Sequence, residues 1–130
     1  MPAQNVLANL FSTISNNEMR NKKGCLIVPA SMLGSEVLRT MQRHKYIGEV
    51  ELIDDGRAGK FRVQLLGRIN KCGAISPRYA VSRGTFDRWE RQYLPAVAVG
   101  ILILTTTKGI LSHAEAVKQN TGGRLLGYVY

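Results

Sequence analysis

Apolar residues near the amino terminus recur with the period of one face of an α-helix. They are Val6, Leu7, Leu10, Phe11 and Ile14. Asn5 is a good residue for the start of this helix, and Asn16-Asn17 is expected to end it. A second helix is predicted from Ser31, a good N-cap, to about Lys45. Its apolar stripe is Met32, Leu33, Val37, Leu38 and Met41.

Shorter apolar segments have the character of strands. Residues 25–28 form a buried-type run that Pro29 is expected to close. A second segment alternates between apolar and polar positions on both sides of a turn at residues 54–59, which is typical of an antiparallel hairpin. Its apolar members are Val50, Leu52, Phe61, Val63 and Leu65. The first half of the chain is therefore predicted to be an αβαββ unit.

The second half is richer in turns. Strand-like fragments lie around residues 67–69 and 74–75. Thr85 is expected to cap a brief helix that ends before Pro95, and residues 100–106 form an apolar, β-branched strand. The pattern predicts one more helix and a terminal strand after this strand.

The last helix begins with a capping box formed by Ser112 and Glu115, and it should run to about Gln119. The glycines of residues 120–123 are expected to end this helix, and residues 124–130 are expected to form a strand. The fold class is α+β, with an N-terminal αβαββ unit packed against a small β-rich C-terminal unit with short helices. The expected domains are residues 1–66, an α/β domain, and residues 67–130, a β-rich RNA-binding domain.

The charge of the chain points to a polyanionic partner. Lysine and arginine number 18 against nine acidic residues, which gives a formal net charge of +9. Residues 1–66 carry nine basic and six acidic side chains, whereas residues 67–130 carry nine and three. Nucleic acid and an anionic membrane surface both fit this charge, and the C-terminal half is expected to face the RNA.

Cysteine usage and hydropathy favour the cytoplasm. Cys25 and Cys72 stand far apart without metal-ligand spacing, which suits two buried thiols in a reducing compartment. The amino terminus lacks the pattern of a secretory signal. The longest apolar stretch, residues 96–104, is nine residues and too short to cross a bilayer.

The candidate site begins with Thr105, Thr106, Thr107, Lys108 and Gly109, placed between a strand and the capped helix. Hydroxyl groups donate to and accept from phosphate, ribose and base edges. Gly109 permits close backbone approach or positive φ, Lys108 adds a point charge, and the nearby helix N-terminus offers amides to an anion.

A second polar turn lies at the far end of that helix. It consists of Lys118, Gln119, Asn120, Thr121, Gly122 and Gly123. So short a helix would keep both turns within one RNA footprint. The residues alone leave an alternative equally open, in which the threonines are ordinary strand formers and the glycines only make turns.

Other candidates carry less weight. Arg78-Tyr79 and Arg88-Trp89, with Arg91 and Tyr93, could stack on unpaired bases, although Trp89 and Phe86 fit better as core residues. His44 and His113 are the only histidines, and neither has metal-ligand or triad spacing. The chain is therefore expected to be no enzyme and to need no cofactor, metal or small-molecule substrate, with an RNA-modifying enzyme using His113 as the alternative.

Residues 100–111, followed by Ala116 and residues 121–123, resemble the family of universal ribosomal protein eight of the small subunit. Further agreement, at residues 47–49, 54–60, 70–73 and 75–78, is with its eukaryotic and archaeal branch, also called the fifteen-a form. The resemblance extends over essentially the whole chain.

This resemblance implies a structural protein that binds a helix in the central domain of small-subunit ribosomal RNA, supports subunit assembly and translation, and touches neighbouring ribosomal proteins. In the family, the threonine-rich turn contacts an irregular stem, and the turn at residues 121–123 lies beside it. Ser31 matches a further RNA contact of the family, where relatives usually carry a basic residue at the position of Met32. The alternative function is a non-ribosomal RNA-binding or RNA-processing protein.

Overall fold

The computed structural model describes residues 3–27, 30–54, 56, 59–75, 79–82, 84–96 and 99–130, with side chains from residue 7 onward. The expectations for Val28, Pro29 and Arg78 fall outside these residues. The chain divides into two compact units, Met1–Cys72 and Gly73–Tyr130.

The first unit extends beyond residue 66 because the segment after its last strand hydrogen-bonds back to it. The Gly67 amide donates to Glu18 Oε1 at 3.3 Å, and the Arg68 guanidinium donates to the Lys45 carbonyl at 3.1 Å. These bonds hold the segment after β3 within the first unit.

The first unit has the predicted αβαββ order. Its elements are α1 (Ala3–Met19), β1 (Gly24–Ile27), α2 (Met32–Arg43), β2 (Ile47–Ile53) and β3 (Lys60–Leu65). The strands form an antiparallel sheet in the order β1-β3-β2. Alternate residues of the central strand, Phe61, Val63 and Leu65, are buried, as the hairpin pattern predicts.

The helix ends of this unit follow from backbone hydrogen bonding. Helix α1 continues past Asn16-Asn17, because Asn21 adopts a left-handed conformation at φ +56° and closes the last turn. The Lys22 amide then donates to the Asn17 carbonyl at 3.0 Å. Ser31 is the N-cap of α2, as predicted, and its hydroxyl accepts from the Gly34 amide at 3.0 Å.

Two apolar residues expected in the core are exposed. Met32 is 85% exposed, because it is the first residue of α2 and precedes the helix turn that packs inward. Leu52 is 63% exposed, because β2 is an edge strand of the sheet. Periodicity identifies the face of an element but not where its covering layer ends.

The second unit is mostly sheet, so the chain is α+β as predicted. Its elements are β4 (Cys72–Ala74, which begins at the boundary), β5 (Ala80–Val81), α3 (Phe86–Tyr93), β6 (Ile101–Thr106), β7 (Gly109–Ser112), α4 (His113–Lys118) and β8 (Gly123–Val129). The sheet order is β4-β8-β6-β7, with β5 paired to β8. Strand β6 lies inside the sheet, and Ile101, Leu102, Ile103 and Leu104 are all buried.

Helix α3 covers one face of this sheet. Phe86 and Trp89 are buried in a cluster with Leu102, Leu104 and Leu125, as expected of core residues. Thr85 stands at the N-cap position, but the expectation that it caps the helix is wrong, because its hydroxyl donates to the Ser82 carbonyl at 3.0 Å. In the described part of the chain, no helix is long and apolar enough to cross a membrane.

Both cysteine thiols are buried in the first unit. Burial, with a smaller contribution from the Glu18 carboxylate, raises the pKa of Cys25 from 9.0 to about 11 and that of Cys72 from 9.0 to about 12. The Cys72 thiol also donates to the Phe11 carbonyl at 3.4 Å. Both groups are therefore neutral thiols over the whole physiological range.

We predict slow thiol labelling in the folded chain at pH 8. A rise of the Cys25 pKa from 9.0 to about 11 alone lowers the thiolate fraction, and hence the labelling rate, by about 100-fold. Because the unfolded chain releases these protons at lower pH, the free energy of unfolding should fall as pH rises above about 9 toward 11–12. Ellman's reagent with and without denaturant tests the rates, and equal rates would contradict the burial of both thiols.

Candidate nucleic-acid interface

The threonine turn, residues 105–109, is a hairpin loop. Strands β6 and β7 pair Thr106 with Gly109, which leaves Thr107 and Lys108 as a two-residue loop. Gly109 has φ +107°, and nothing lies within 4 Å of the position a Cβ would take. Glycine is therefore needed here for its backbone conformation and not for close approach.

The threonine hydroxyls have different roles in this loop. Thr106 Oγ1 donates to the Gly109 carbonyl at 2.7 Å and accepts from the Lys108 amide at 3.1 Å, so it holds the loop together. Thr107 is exposed, and its hydroxyl has no hydrogen-bond partner within the described ranges. The side chain offered to a ligand is therefore that of Thr107.

The Gly-Gly turn, residues 118–123, ends α4 in a way the sequence did not reveal. Asn120 adopts the left-handed conformation at φ +55°. The Thr121 amide donates to the Ala116 carbonyl at 3.0 Å, and the Asn120 amide donates to the Val117 carbonyl at 3.1 Å. This is a Schellman C-cap, so the expectation that glycine closes the helix is wrong, and asparagine takes that position.

Gly123 has a different purpose, which is to let two strands come close. A Cβ at this position would overlap the Thr105 carbonyl oxygen and lie 2.9 Å from Thr106 Cγ2. Strand β8 pairs with β6 here, where Arg124 is opposite Thr105. The absence of a side chain at position 123 therefore places the Gly-Gly turn beside the threonine turn.

Lys108 joins the two turns directly. Its ammonium group donates to the Gln119 carbonyl at 3.0 Å, so a cation stands at the C-terminal, negative end of α4. We call the exposed surface of residues 105–109 and 118–124 the two-turn surface. It contains three basic side chains, Lys108, Lys118 and Arg124, and no acidic one.

The N-terminus of α4 does not lie at the threonine turn. Strand β7 separates that N-terminus from the loop, and the capping box uses two of its amides, those of Ser112 and Glu115. Ser112 Oγ accepts from the Glu115 amide at 3.3 Å, and Glu115 Oε1 accepts from the Ser112 amide at 3.0 Å. The capping box is therefore confirmed, whereas the helix end that faces the loop is the opposite one.

The two-turn surface includes most of the predicted site residues. Ser31 belongs to the first unit, so the fold of the second unit does not join it to the turns. Arg124 is a basic residue of this surface that sequence reasoning missed, although its place next to Gly123 could have identified it. Val117, the residue before Lys118, is exposed on α4.

His113 connects three elements of the second unit. Its Nδ1 accepts from the Leu102 amide of β6 at 3.1 Å, and its Nε2 lies 3.2 Å from Glu90 Oε1 of α3. The two side chains are only 12% and 18% exposed. Because β7 ends at Ser112, the imidazole replaces the next backbone acceptor for β6, which is a structural role. The described residues also contain no cluster of three metal-ligating side chains.

We predict that His113→Ala lowers the free energy of unfolding by about 3 kcal/mol, because it leaves the Leu102 amide and the Glu90 carboxylate without this partner in a poorly hydrated site. His44→Ala, at the C-cap of α2, is the control and should cost less than about 1 kcal/mol. Urea unfolding followed by circular dichroism measures both. Equal losses would argue against the structural role of His113.

A second prediction concerns Gly123. Gly123→Ala should destabilise the chain by about 1 to 3 kcal/mol and weaken RNA binding, because the new Cβ pushes the two turns apart. Gly84→Ala is the matched control, since a Cβ there meets nothing within 4 Å. Thermal melts and RNA titrations of both variants test this. Similar behaviour of the two would show that close approach at Gly123 is unimportant.

Comparison with known proteins identifies the family of the chain. The family model described as "Ribosomal protein S8" matches residues 5–130. The protein named "Small ribosomal subunit protein uS8" is 57% identical in Nitrosopumilus maritimus and 52% identical in Cenarchaeum symbiosum, each over 130 residues. The protein of that name from Sulfolobus acidocaldarius is 55% identical over 133 residues, and all three comparisons cover the full length of both chains. The chain belongs to the ribosomal protein S8 family, in its archaeal form.

Proposed function

We propose that this chain is a structural constituent of the small ribosomal subunit and binds the RNA of that subunit through the two-turn surface. Its family and its relatives, which are named as small-subunit proteins, support the ribosomal role. The observation that carries the RNA-binding assignment is the bond from Lys108 to the Gln119 carbonyl, which makes one surface of two turns.

Binding at this surface divides into two kinds of contact. Lys108, Lys118 and Arg124 attract phosphates, which supplies affinity that falls as salt rises. The Thr107 hydroxyl and the exposed backbone of the two turns then meet ribose and base edges of an irregular RNA stem. Recognition of this kind reads the shape of the RNA and requires no chemistry on it.

The finer assignments belong to the same proposal. The RNA target is a helix in the central domain, the other partners are neighbouring ribosomal proteins, and the protein acts in the cytoplasm during subunit assembly and translation. Ser31 is a further contact of the first unit. Its hydroxyl accepts from the Gly34 amide and can donate its own proton to a phosphate oxygen.

The alternative of an RNA-processing enzyme has no support from the site. His113, the histidine it requires, is bound to Leu102 and Glu90 inside the second unit. The family to which the chain belongs consists of structural proteins of the ribosome. The chain is therefore not an enzyme.

The first test compares two RNA stems of equal length, one with the central-domain sequence and one scrambled, at about 50 to 200 mM salt. We expect a preference for the native stem that persists at the higher salt concentration. Equal binding that weakens steeply with salt would reduce the interaction to nonspecific charge attraction and would overturn the proposal.

Two variants separate the kinds of contact. Thr107→Ala should weaken the native stem by about 5- to 10-fold and leave the scrambled stem unchanged, because its hydroxyl contributes to recognition. Lys118→Ala should weaken both stems similarly and lower the salt dependence by about one counterion. Ser12→Ala, which removes an exposed hydroxyl from α1, and Lys22→Ala, which removes one charge from the first unit, are the matched controls. Parallel losses from Thr107→Ala and Lys118→Ala would refute this division.

A further inference from the structure

A continuous column of aromatic rings runs through the second unit. In order, its members are Tyr79, Trp89, Tyr93, Tyr128 and Tyr130. Successive ring centroids are 5.0, 6.5, 5.6 and 6.2 Å apart, and successive ring planes differ by 28°, 10°, 26° and 21°. The rings are therefore nearly parallel, and the column links α3 to the end of β8.

The column is closed in its middle and open at Tyr79. Trp89 is buried and contributes to the core of the unit. Tyr79 is 40% exposed, and within the described residues Trp89 is its one stacked ring neighbour. This exposure leaves part of the Tyr79 side chain accessible to another planar group.

The Trp89 ring, on which Tyr79 stacks, also has a cation beside it. The Arg88 guanidinium lies 5.4 Å from the centre of the Trp89 ring and is exposed on α3. The two carboxylates of α3, those of Asp87 and Glu90, line a cleft with Arg91 and Leu94.

The Tyr93 phenol, in the middle of the column, remains neutral. Burial, with smaller contributions from Tyr79 and Tyr128, raises the pKa of Tyr93 above its ordinary value. No phenolate therefore forms at Tyr93 near neutral pH, and the column presents no negative charge there to a phosphate.

We infer that the Tyr79 end of the column stacks an unpaired nucleobase of RNA, while Arg88 contacts a phosphate next to that base. The inference rests on the proposed function in taking RNA as the partner, but its residues are separate from the two-turn surface. Every nucleobase has a flat π-face that continues such a stack. An arginine side chain of another protein is disfavoured, because Arg88 would repel a second guanidinium.

Trp89 provides the test, because it is the only tryptophan of the chain and is stacked directly on Tyr79. Titration of the full chain with a single-stranded RNA of six adenines should change the Trp89 fluorescence to saturation. Tyr79→Leu keeps apolar bulk against Trp89 but removes the π-face, and it should weaken hexamer binding by about 5- to 100-fold. Tyr79→Phe keeps the ring and should bind like the original chain.

Two further variants complete the design. Arg88→Gln should weaken hexamer binding to a smaller extent and lower its salt dependence. Tyr46→Leu changes a tyrosine of the first unit and is the control, for which the affinity should stay the same. Circular dichroism melts of each variant establish that any loss of binding occurs in a folded chain.

The central-domain stem is measured in parallel, so that the two proposals fail separately. If the original chain binds the central-domain stem no better than the scrambled stem, the proposed function is overturned. Retained stem binding together with equal hexamer affinity of Tyr79→Leu and Tyr79→Phe would overturn only the stacking site. A saturable Trp89 response to an arginine-rich peptide, with none to the hexamer, would also overturn it and identify a protein side chain as the occupant.

Discussion

The close approach of Gly123 to the Thr105 backbone is the constraint on which the candidate RNA surface depends. Strands β6 and β8 are antiparallel, so the end of one lies beside the start of the other. The turn that follows β6 and the turn that precedes β8 therefore meet where these two strands end, on the same side of the sheet. A side chain at position 123 would separate them, and neither turn alone presents the same combination of hydroxyl, amide and ammonium groups.

Helix α4 completes this arrangement although it is too short to be stable by itself. Its six residues are held between the capping box at Ser112 and the left-handed Asn120, and His113 ties its first turn to β6 and α3. Lys108 then donates to the carbonyl of its C-cap residue, Gln119. The helix acts as a rigid spacer that keeps the two turns in a constant relation, which is what recognition of RNA shape requires.

Strand β8 also connects this surface to the aromatic column. Gly123 and Arg124 lie at its beginning in the two-turn surface, and Tyr128 lies near its end in the column. The hydroxyl-rich turns suit the edges of an irregular stem, whereas the column suits a base outside a helix. The second unit therefore carries two candidate RNA surfaces of different chemistry on one sheet.

Local patterns in the sequence determined much of this protein. The αβαββ order, the N-cap at Ser31, the capping box at Ser112 and the burial of Trp89 all follow from periodicity and short-range hydrogen bonding. The net charge also indicated a polyanionic partner, and the threonine and glycine turns contain most residues of the candidate site.

The tertiary structure alone decided how those residues are used. Pairing of β6 with β7 makes residues 105–109 a hairpin loop, in which Thr106 and Thr107 have separate roles. The C-terminal end of α4 faces this loop, because Lys108 donates to the Gln119 carbonyl. The link from His113 to Glu90 joins residues distant in sequence. Such features depend on which strands pair and which groups are left without partners after burial, and no local pattern carries that information.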